Sequence, residues 1–599
     1  MEVEVGLVGL CIDAASESRE SVEKWRRQRR TLERMPTQLA QSLLRRLLRR
    51  RLVTPSLLEV FQHCIEEIDL KGESFVDAEW MAYLGAFRYL RTLNIAGCKS
   101  INNSVLWSIT GMTSLQELDL SRCSKITDAA TEHLLSIPDL KKLWISETGL
   151  TTDAVTRLSS LRKLCLLDLG GLPVTDMAIC SLQVLTQLEY LDLWGSKISN
   201  KGAAVLASFP NLSFLNLAWT DVTKLPNLPS LNCLNMSRCT IQSIFEGDDE
   251  VRAPLTKLLV TGAMFVDVRE AFFYLDASQL SFLDISGSPI QDFCFLPNMD
   301  QLEHLDLSFS RMVDNLMELV ANIGASLRDL NLSNTRVSSG GIAILARNVP
   351  NLEILSLSHT AVDDTALSYI SIMPSLRTIN LSNTSIKGYI YQAGHSPDRF
   401  LSLTALHNLD HLESLDLEDT QVRDEELHPL SVLRELSHLS LKSDFLSDVT
   451  LHTLSSLPKL KSLGFRGAVL TNAGLHSFQP PGMLQKLDLS ECWLLSADAI
   501  SAFCKNHPQL DVRHEHFQMS LVSQNMGDSP SPSRGQPLQS TLKGVKSLWT
   551  PNRLFHKVKF MDERIKYSRD ELLELQFTPS RDPSPLGTGI VLPTMLLNE

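Results

Sequence analysis

Leu115-Gln-Glu-Leu118-Asp-Leu120-Ser-Arg-Cys123 reads as a short strand closed by a turn. Its first, fourth and sixth residues are leucines that would point to one side, and its ninth is small enough to turn the chain while bonding backbone. The nonapeptide returns as Leu140 to Thr148, Leu188 to Ser196, Leu212 to Thr220, Leu327 to Thr335, Leu352 to Thr360 and Leu484 to Cys492. Its first residues stand at 90, 115, 140, 164, 188, 212, 231, 255, 280, 302, 327, 352, 376, 412, 436, 460 and 484, mostly 24 or 25 apart. A unit this short cannot bury its apolar face alone, so seventeen of them predict one core extended by stacking.

The pattern is that of leucine-rich repeats, and it resembles their ribonuclease-inhibitor-like and cysteine-containing subfamily. The resemblance implies an α/β solenoid, a horseshoe with strands on its concave face and helices on its convex face. Thr127-Asp-Ala-Ala-Thr-Glu-His-Leu-Leu135, with a polar start and helically spaced apolar residues, predicts such a convex helix. The 19- and 22-residue repeats starting at Leu212 and Leu280 are too short for a full helix and predict a turn or 3₁₀ segment. The ninth-position Cys98, Cys123 and Cys492 play the same turn role as Thr148, Thr335 and Thr360. Eleven cysteines with no paired framework, and no export signal, predict reduced thiols of the cytosol or nucleus.

The third, fifth and seventh residues of each strand face out of the concave side, which is the expected docking surface. The fifth place carries a row of Asp or Asn, among them Asp119, Asp168, Asp192, Asn216, Asp284 and Asp306. Such a row reads either as a solvated face or as a polar binding surface. Trp144, Tyr190, Trp194, Phe214 and Trp219 fall on the third to sixth repeats beside Asp168 and Asp192, and aromatics ringed by polar groups make binding anchors. The alternative for some of them, Trp219 before Trp194, is packing onto the turns below. The 36-residue interval after Leu376 holds an insertion at 388–400, Gly388 to Phe400.

The domain reading is a disordered basic N-terminus at 1–34, a helical cap at 35–72, the solenoid at 73–515 and a disordered tail at 516–599. Lys24-Trp-Arg-Arg-Gln-Arg-Arg30 and Arg45-Arg-Leu-Leu-Arg-Arg-Arg51 concentrate positive charge, and Leu39, Leu43, Leu44, Leu47 and Leu48 sit at helical spacing. An amphipathic helix there would cover the first repeat, with nuclear import or RNA contact as alternative uses of its basic face. Met35-Pro-Thr-Gln-Leu39 and Ile65-Glu-Glu-Ile-Asp-Leu70 resemble the N-terminal segment of leucine-rich-repeat substrate receptors of cullin ubiquitin ligases. That resemblance implies a ligase receptor as the alternative function; Phe61 stands where the elongin-type box has Cys.

Past Phe517 the leucine pattern ends, and Ser529, Ser531, Thr550, Thr578 and Ser584 each precede proline as candidate phosphorylation sites. One island differs: Arg564-Ile-Lys-Tyr567-Ser-Arg-Asp-Glu-Leu572-Leu573-Glu-Leu-Gln-Phe577. Ser568 and Glu571 form an S-x-x-E capping box, and Tyr567 with Leu572 would staple the first turn. About eight helical residues are too few to hold alone, so the segment is expected to order only against a partner groove. Residues 567–573 fit Y-x-x-x-x-L-Φ, and the chain is similar here to plant leucine-rich-repeat proteins that bind the mRNA cap-binding initiation factor 4E. The resemblance implies a translation-initiation adaptor that holds factor 4E through Tyr567, Leu572 and Leu573 and other initiation proteins through the repeats.

The formal charge of -13 argues against a general nucleic-acid or membrane surface. No phosphate loop, nucleophile elbow or H-E-x-x-H helix occurs, and the spacing of Cys504, His507, His514 and His516 fits no standard zinc site. The expectation is therefore a non-enzyme without cofactor or metal, cytoplasmic, with the basic cluster as a potential nuclear signal.

Overall fold

The computed structural model describes residues 7–27, 35–247, 252–391, 399–515 and 566–577. They fall into two compact units, Met1–Gln301 with Phe560–Glu599, and Leu302–Lys559. No described helix is long and apolar enough to cross a membrane.

In the first unit ten strands pair side by side, all parallel: β1 (Glu67–Asp69), β2 (Thr92–Asn94), β3 (Glu117–Asp119), β4 (Lys142–Trp144), β5 (Leu166–Asp168), β6 (Tyr190–Asp192), β7 (Phe214–Asn216), β8 (Cys233–Asn235), β9 (Lys257–Leu259) and β10 (Phe282–Asp284). Every pairing aligns the same repeat position, so Leu93, Leu118, Leu143, Leu167, Leu191 and Leu215 stack as one inner row, each fully buried. The second unit holds nine parallel strands, from His304–Asp306 to Asp511–Arg513.

The Asp and Asn row has a structural job that its sequence reading left open. Asp119 Oδ1 accepts the Ser121 N–H at 2.9 Å, and Asp168, Asp192, Asn216, Asn235 and Asp284 accept the N–H two residues on in the same way. Each side chain closes the turn that ends its strand. One residue later the backbone is left-handed, with Gly at 97, 171 and 195 but Arg122, Glu147 and Trp219 bearing the same positive φ. The ninth residue then closes the loop as expected. Cys98 and Cys123 Sγ donate to the Leu70 and Ile95 carbonyls of the preceding repeat at 3.2 and 3.3 Å, while Thr335 and Thr360 donate to their own strands. Burial pushes the Cys98 thiol up to about 11 and Cys123 up to about 12, so these sulfurs are unreactive packing groups.

On the convex side a second aspartate series links repeat to repeat. Asp128 accepts both the N–H and the hydroxyl of Thr151, and Asp176 does the same for Ser199. In the second unit Asp314 holds Ser338, Asp424 holds Ser447 and Asp448 holds Thr471. Convex segments are short helices such as Asp176–Leu182, or 3₁₀ turns such as Val105–Gly111. The 22-residue repeat carries a 3₁₀ turn at Leu296–Asn298, and the 19-residue repeat carries a strand, Lys224–Pro226, paired with Ser243–Glu246. The insertion begins and ends as an antiparallel pair, Tyr389–Tyr391 with Arg399–Leu401, where the Arg399 guanidinium lies 4.1 Å from the Tyr389 ring and pairs with buried Glu426. Its residues 392–398 lie outside the described ones.

Two domain expectations change. Residues 1–34 were expected without structure, yet Leu7–Ala15 and Arg19–Arg26 are helices, because Trp25 Nε1 reaches the Ala15 carbonyl and Asp13 pairs with Arg46 and Arg50. Ile65 to Leu70, assigned to the cap, carries β1, the first strand of the ladder, with Ile65 and Ile68 in the core. Helix Thr37–Arg49 buries Leu43, Leu44 and Leu47, and its Gln41 donates to the Glu67 carbonyl of β1 at 2.6 Å. Leu39 and Leu48 are half-buried.

In the second unit Asp416 sits in the strand Ser414–Glu418. Burial, followed by the Glu418 and Asp419 carboxylates, pushes its carboxyl up to about 6, against the Glu418 N–H and Arg466. The folded group therefore holds a proton that the unfolded group releases near its ordinary value. Its stabilising contribution is complete below about pH 4 and is lost as pH rises through 6. Asn at 416 keeps the acceptor for Glu418 N–H, which Asp416 takes at 2.9 Å. Asp416→Asn should raise unfolding stability at pH 7.5 by on the order of 1 kcal/mol, after a discount for solvent screening, and leave it unchanged at pH 4. Denaturant titrations at both pH values check this; no gain at pH 7.5 rejects it.

Candidate functional site on the concave face

Strand register places the third-position side chains of β5 to β10 in one row: Leu166, Tyr190, Phe214, Cys233, Lys257 and Phe282. The fifth-position row beside it runs Trp144, Asp168, Asp192, Asn216, Asn235, Leu259, Asp284. Apolar residues at these outward places make a greasy strip on a face that is polar elsewhere. Tyr190 and Phe214 stack with centroids 4.2 Å apart and planes 3° from parallel, close to the strand spacing itself.

The strip is covered. Residues 566–577 were expected to lack structure without a partner, and the partner is the chain's own concave face. Arg569–Phe577 is a helix whose Leu572 and Leu575 are buried in one cluster with Leu166, Tyr190, Phe214, Cys233, Leu259 and Phe282, with Trp144, Tyr567 and Leu573 packed at its margin. Arg569, Leu572 and Leu575 fall on one helical stripe, three residues apart. The Tyr567 ring meets Phe282 edge to face at 6.3 Å.

Polar contacts fix both ends of the segment. Ser568 N–H donates to Glu571 Oε2 at 2.7 Å and Glu571 N–H points back to Ser568 Oγ at 3.4 Å, the reciprocal cap. At the far end the Lys257 ammonium donates to the Leu575 carbonyl, one of the carbonyls that the last turn leaves unpaired. Arg569 donates to Asp119 Oδ2 at 2.8 Å and to Ser121 Oγ at 2.6 Å, and lies 3.8 Å from Asp168. Lys566 pairs with Asp284 at 2.8 Å, and the Tyr567 hydroxyl donates to the same carboxylate at 2.7 Å. The tail thus reaches both ends of this stretch of ladder, β3 through Arg569 and β10 through Lys566 and Tyr567.

Electrostatics follow the contacts. Burial alone would push Asp284 up, but the Lys566 ammonium and the Ser286 and Tyr567 hydroxyls hold it down at about 2. Asp168 is raised by burial, with Arg569 opposing, and Asp192 is raised by burial joined by Asp168 beside it. A cavity of about 110 Å³ lies against that carboxylate pair, between Trp194 and the tail's Ser568 to Asp570.

The predicted concave patch is only partly an open surface. Asp168, Tyr190, Asp192, Trp194 and Phe214 are all buried, Trp144 is half-buried, and Trp219 alone stays exposed, with Arg238 5.8 Å from its ring. Trp194 packs closely on Gly170, where a Cβ would come within 2.0 Å of its Nε1. The tail covers this part of the concave face, with Leu572 and Leu575 buried against it. Leu166, Cys233, Lys257, Leu259 and Phe282 escaped the sequence reading. Their signal was there: apolar residues at outward third and fifth places. The candidate phosphorylation sites Ser529, Ser531, Thr550, Thr578 and Ser584 lie outside the described residues.

A leucine-rich-repeat family model matches residues 111–130, the stretch that contains β3 and its closing turn. The chain carries leucine-rich repeats. Solved structures similar to it include an internalin from Listeria monocytogenes, 21% identical over 65% of this chain and 94% of that one, TM-score 0.39. A leucine-rich-repeat protein from Leptospira interrogans is 16% identical over 76% of this chain and 98% of that one, TM-score 0.40. No curated protein matches it in sequence.

Burying two leucines contributes roughly 3–6 kcal/mol, whereas fixing each backbone residue of the segment costs about 1–2 kcal/mol. The ion pairs at the start of the segment, Lys566 with Asp284 and Arg569 with Asp119, and the Lys257 hydrogen bond at its far end therefore share the stabilisation. Leu575→Ala removes a buried anchor, a loss of about 2–5 kcal/mol. Hydrogen exchange of the amides in 569–577 should accelerate at least tenfold, with the strand amides of β5 to β8 unchanged. Equal protection in the variant would show that Leu575 does not anchor the tail.

Proposed function

We propose that this leucine-rich-repeat protein is a non-catalytic scaffold of translation initiation, which holds the cap-binding initiation factor 4E through Tyr567, Leu572 and Leu573 and other initiation proteins through its repeats. Leucine-rich-repeat folds typically serve protein interaction without catalysis, which supports the coarser part of this reading. The finer reading rests on one observation. The segment bearing Y-x-x-x-x-L-Φ is a self-capped helix that turns Tyr567, Leu572 and Leu573 toward a protein surface, the same three side chains that the motif would use on factor 4E. Arg564 and Lys566 precede it with positive charge. In architecture it resembles the plant factor 4E-interacting protein CERES, a repeat body with the motif in its tail.

The cullin-receptor alternative gains nothing from residues 35 to 65. Leu57, Phe61 and Ile65, at the places of the elongin-type box, are 1%, 1% and 0% exposed, committed to the interior of the fold.

The test is factor 4E affinity of the full chain against a Tyr567→Ala, Leu572→Ala, Leu573→Ala triple variant. Loss of these anchors should weaken binding by at least a hundredfold, in line with truncation of interface hot spots. Equal affinities would falsify the motif's role.

A further inference from the structure

The groove and the motif compete for one set of side chains. Leu572 is 1% exposed against the concave strip, Tyr567 is spent on Asp284 and Phe282, and Leu573 packs on the same cluster. A face of a helix that short cannot lie in two grooves at once.

We propose that the concave strip from Asp119 to Asp284 is a binding site for an amphipathic helix with a Lys-Tyr-x-Arg lead, occupied in cis by residues 566–577 of this chain. Occupancy of that site and engagement of the tail by a second protein exclude each other. The recognition chemistry is complete on both sides. Two carboxylates receive the lead, with Asp119 taking Arg569 and Asp284 taking Lys566 and Tyr567. The Leu166, Tyr190, Phe214, Cys233, Leu259 and Phe282 surface receives Leu572 and Leu575. Lys257 receives the carbonyl end, so the site also reads helix direction.

The site is built to release as well as to hold. Tyr190 OH and Trp144 Nε1 are buried by the covered groove without a hydrogen-bond partner among the described residues, and departure of the tail returns both to water. The cavity beside Asp168 and Asp192 leaves the helix start incompletely packed. The exclusion rests on the function proposed above; the groove itself does not.

The experiment uses the full chain in three forms. Asp119→Asn with Asp284→Asn removes groove charge while sparing the fold, because Asn94, Asn216 and Asn235 close the same turn in neighbouring repeats. Arg569→Glu repels the tail from Asp119 and Asp168 without touching Tyr567, Leu572 or Leu573. Hydrogen exchange at 569–577 should accelerate at least tenfold in both variants. A fluorescent peptide of residues 560–580 should bind the Arg569→Glu chain, whose groove is vacated, at least tenfold more tightly than wild type. Unchanged exchange, or peptide binding equal in the two chains, overturns the site. Factor 4E should bind the Asp119→Asn, Asp284→Asn chain at least fivefold more tightly than wild type. If exchange and peptide behave as stated but that affinity is unchanged, the exclusion is wrong. If factor 4E binds no form, the initiation reading falls and the groove stands.

Discussion

A single repeat of this protein has one apolar face and two strand edges, and it can satisfy none of them by itself. Stacking resolves all three, since each strand takes its backbone partners from its neighbours and each leucine row continues the core of the last. The rest of the molecule follows from keeping successive repeats in register. The fifth-position Asp or Asn bends most strand ends alike, the left-handed residue and the ninth-position Cys or Thr return the chain, and the convex aspartates tie helix starts of neighbouring repeats together. Variation is permitted only where register is not at stake. Convex segments therefore switch between helix, 3₁₀ turn and strand while the concave ladder does not.

That constancy makes the concave face a written surface. Register places position three of one repeat beside position three of the next, so a run of apolar residues there becomes a strip and two aspartates in the right repeats become its ends. The tail helix matches this surface in charge and in direction. Arg569 and Lys566 bring positive charge to carboxylates already engaged by turn N–H groups, which need only a cation to be fully compensated once water is excluded. The low position of Asp284 and the raised Asp168 and Asp192 are two outcomes of one balance: burial lifts a carboxyl, and the Lys566 ammonium with the Ser286 and Tyr567 hydroxyls outweighs it at Asp284, whereas Arg569 does not at Asp168.

Local chemistry was readable wherever it obeyed a period or a short motif. The leucine spacing predicted the strands, the ninth position predicted the turn bonds, and Ser568 with Glu571 predicted the helix cap. The domain edges were less readable. Ile65 to Leu70 has isoleucines in two leucine places and follows a leucine-rich helix, which hid it as a strand. The helices at 7–15 and 19–26 were masked by the charge around them, since pairing of Asp13 with Arg46 and Arg50 is a contact between segments distant in sequence. Phe282, Leu259 and Cys233 each stand as one apolar residue in a separate repeat, whereas the groove exists only across repeats.

The sequence by itself determined the strand ladder, its turns and a tail segment ready to form one capped helix, because each depends on residues fewer than a repeat apart. Only the tertiary structure decided what that helix faces. Tyr567 and Asp284 are 283 positions apart and Arg569 and Asp119 are 450 apart, distances over which no pattern in the chain records contact. Closing such a span depends on the summed fit of charge, apolar strip and helix end. That sum becomes available only after the ladder has brought β3 and β10 within reach of the same nine-residue helix.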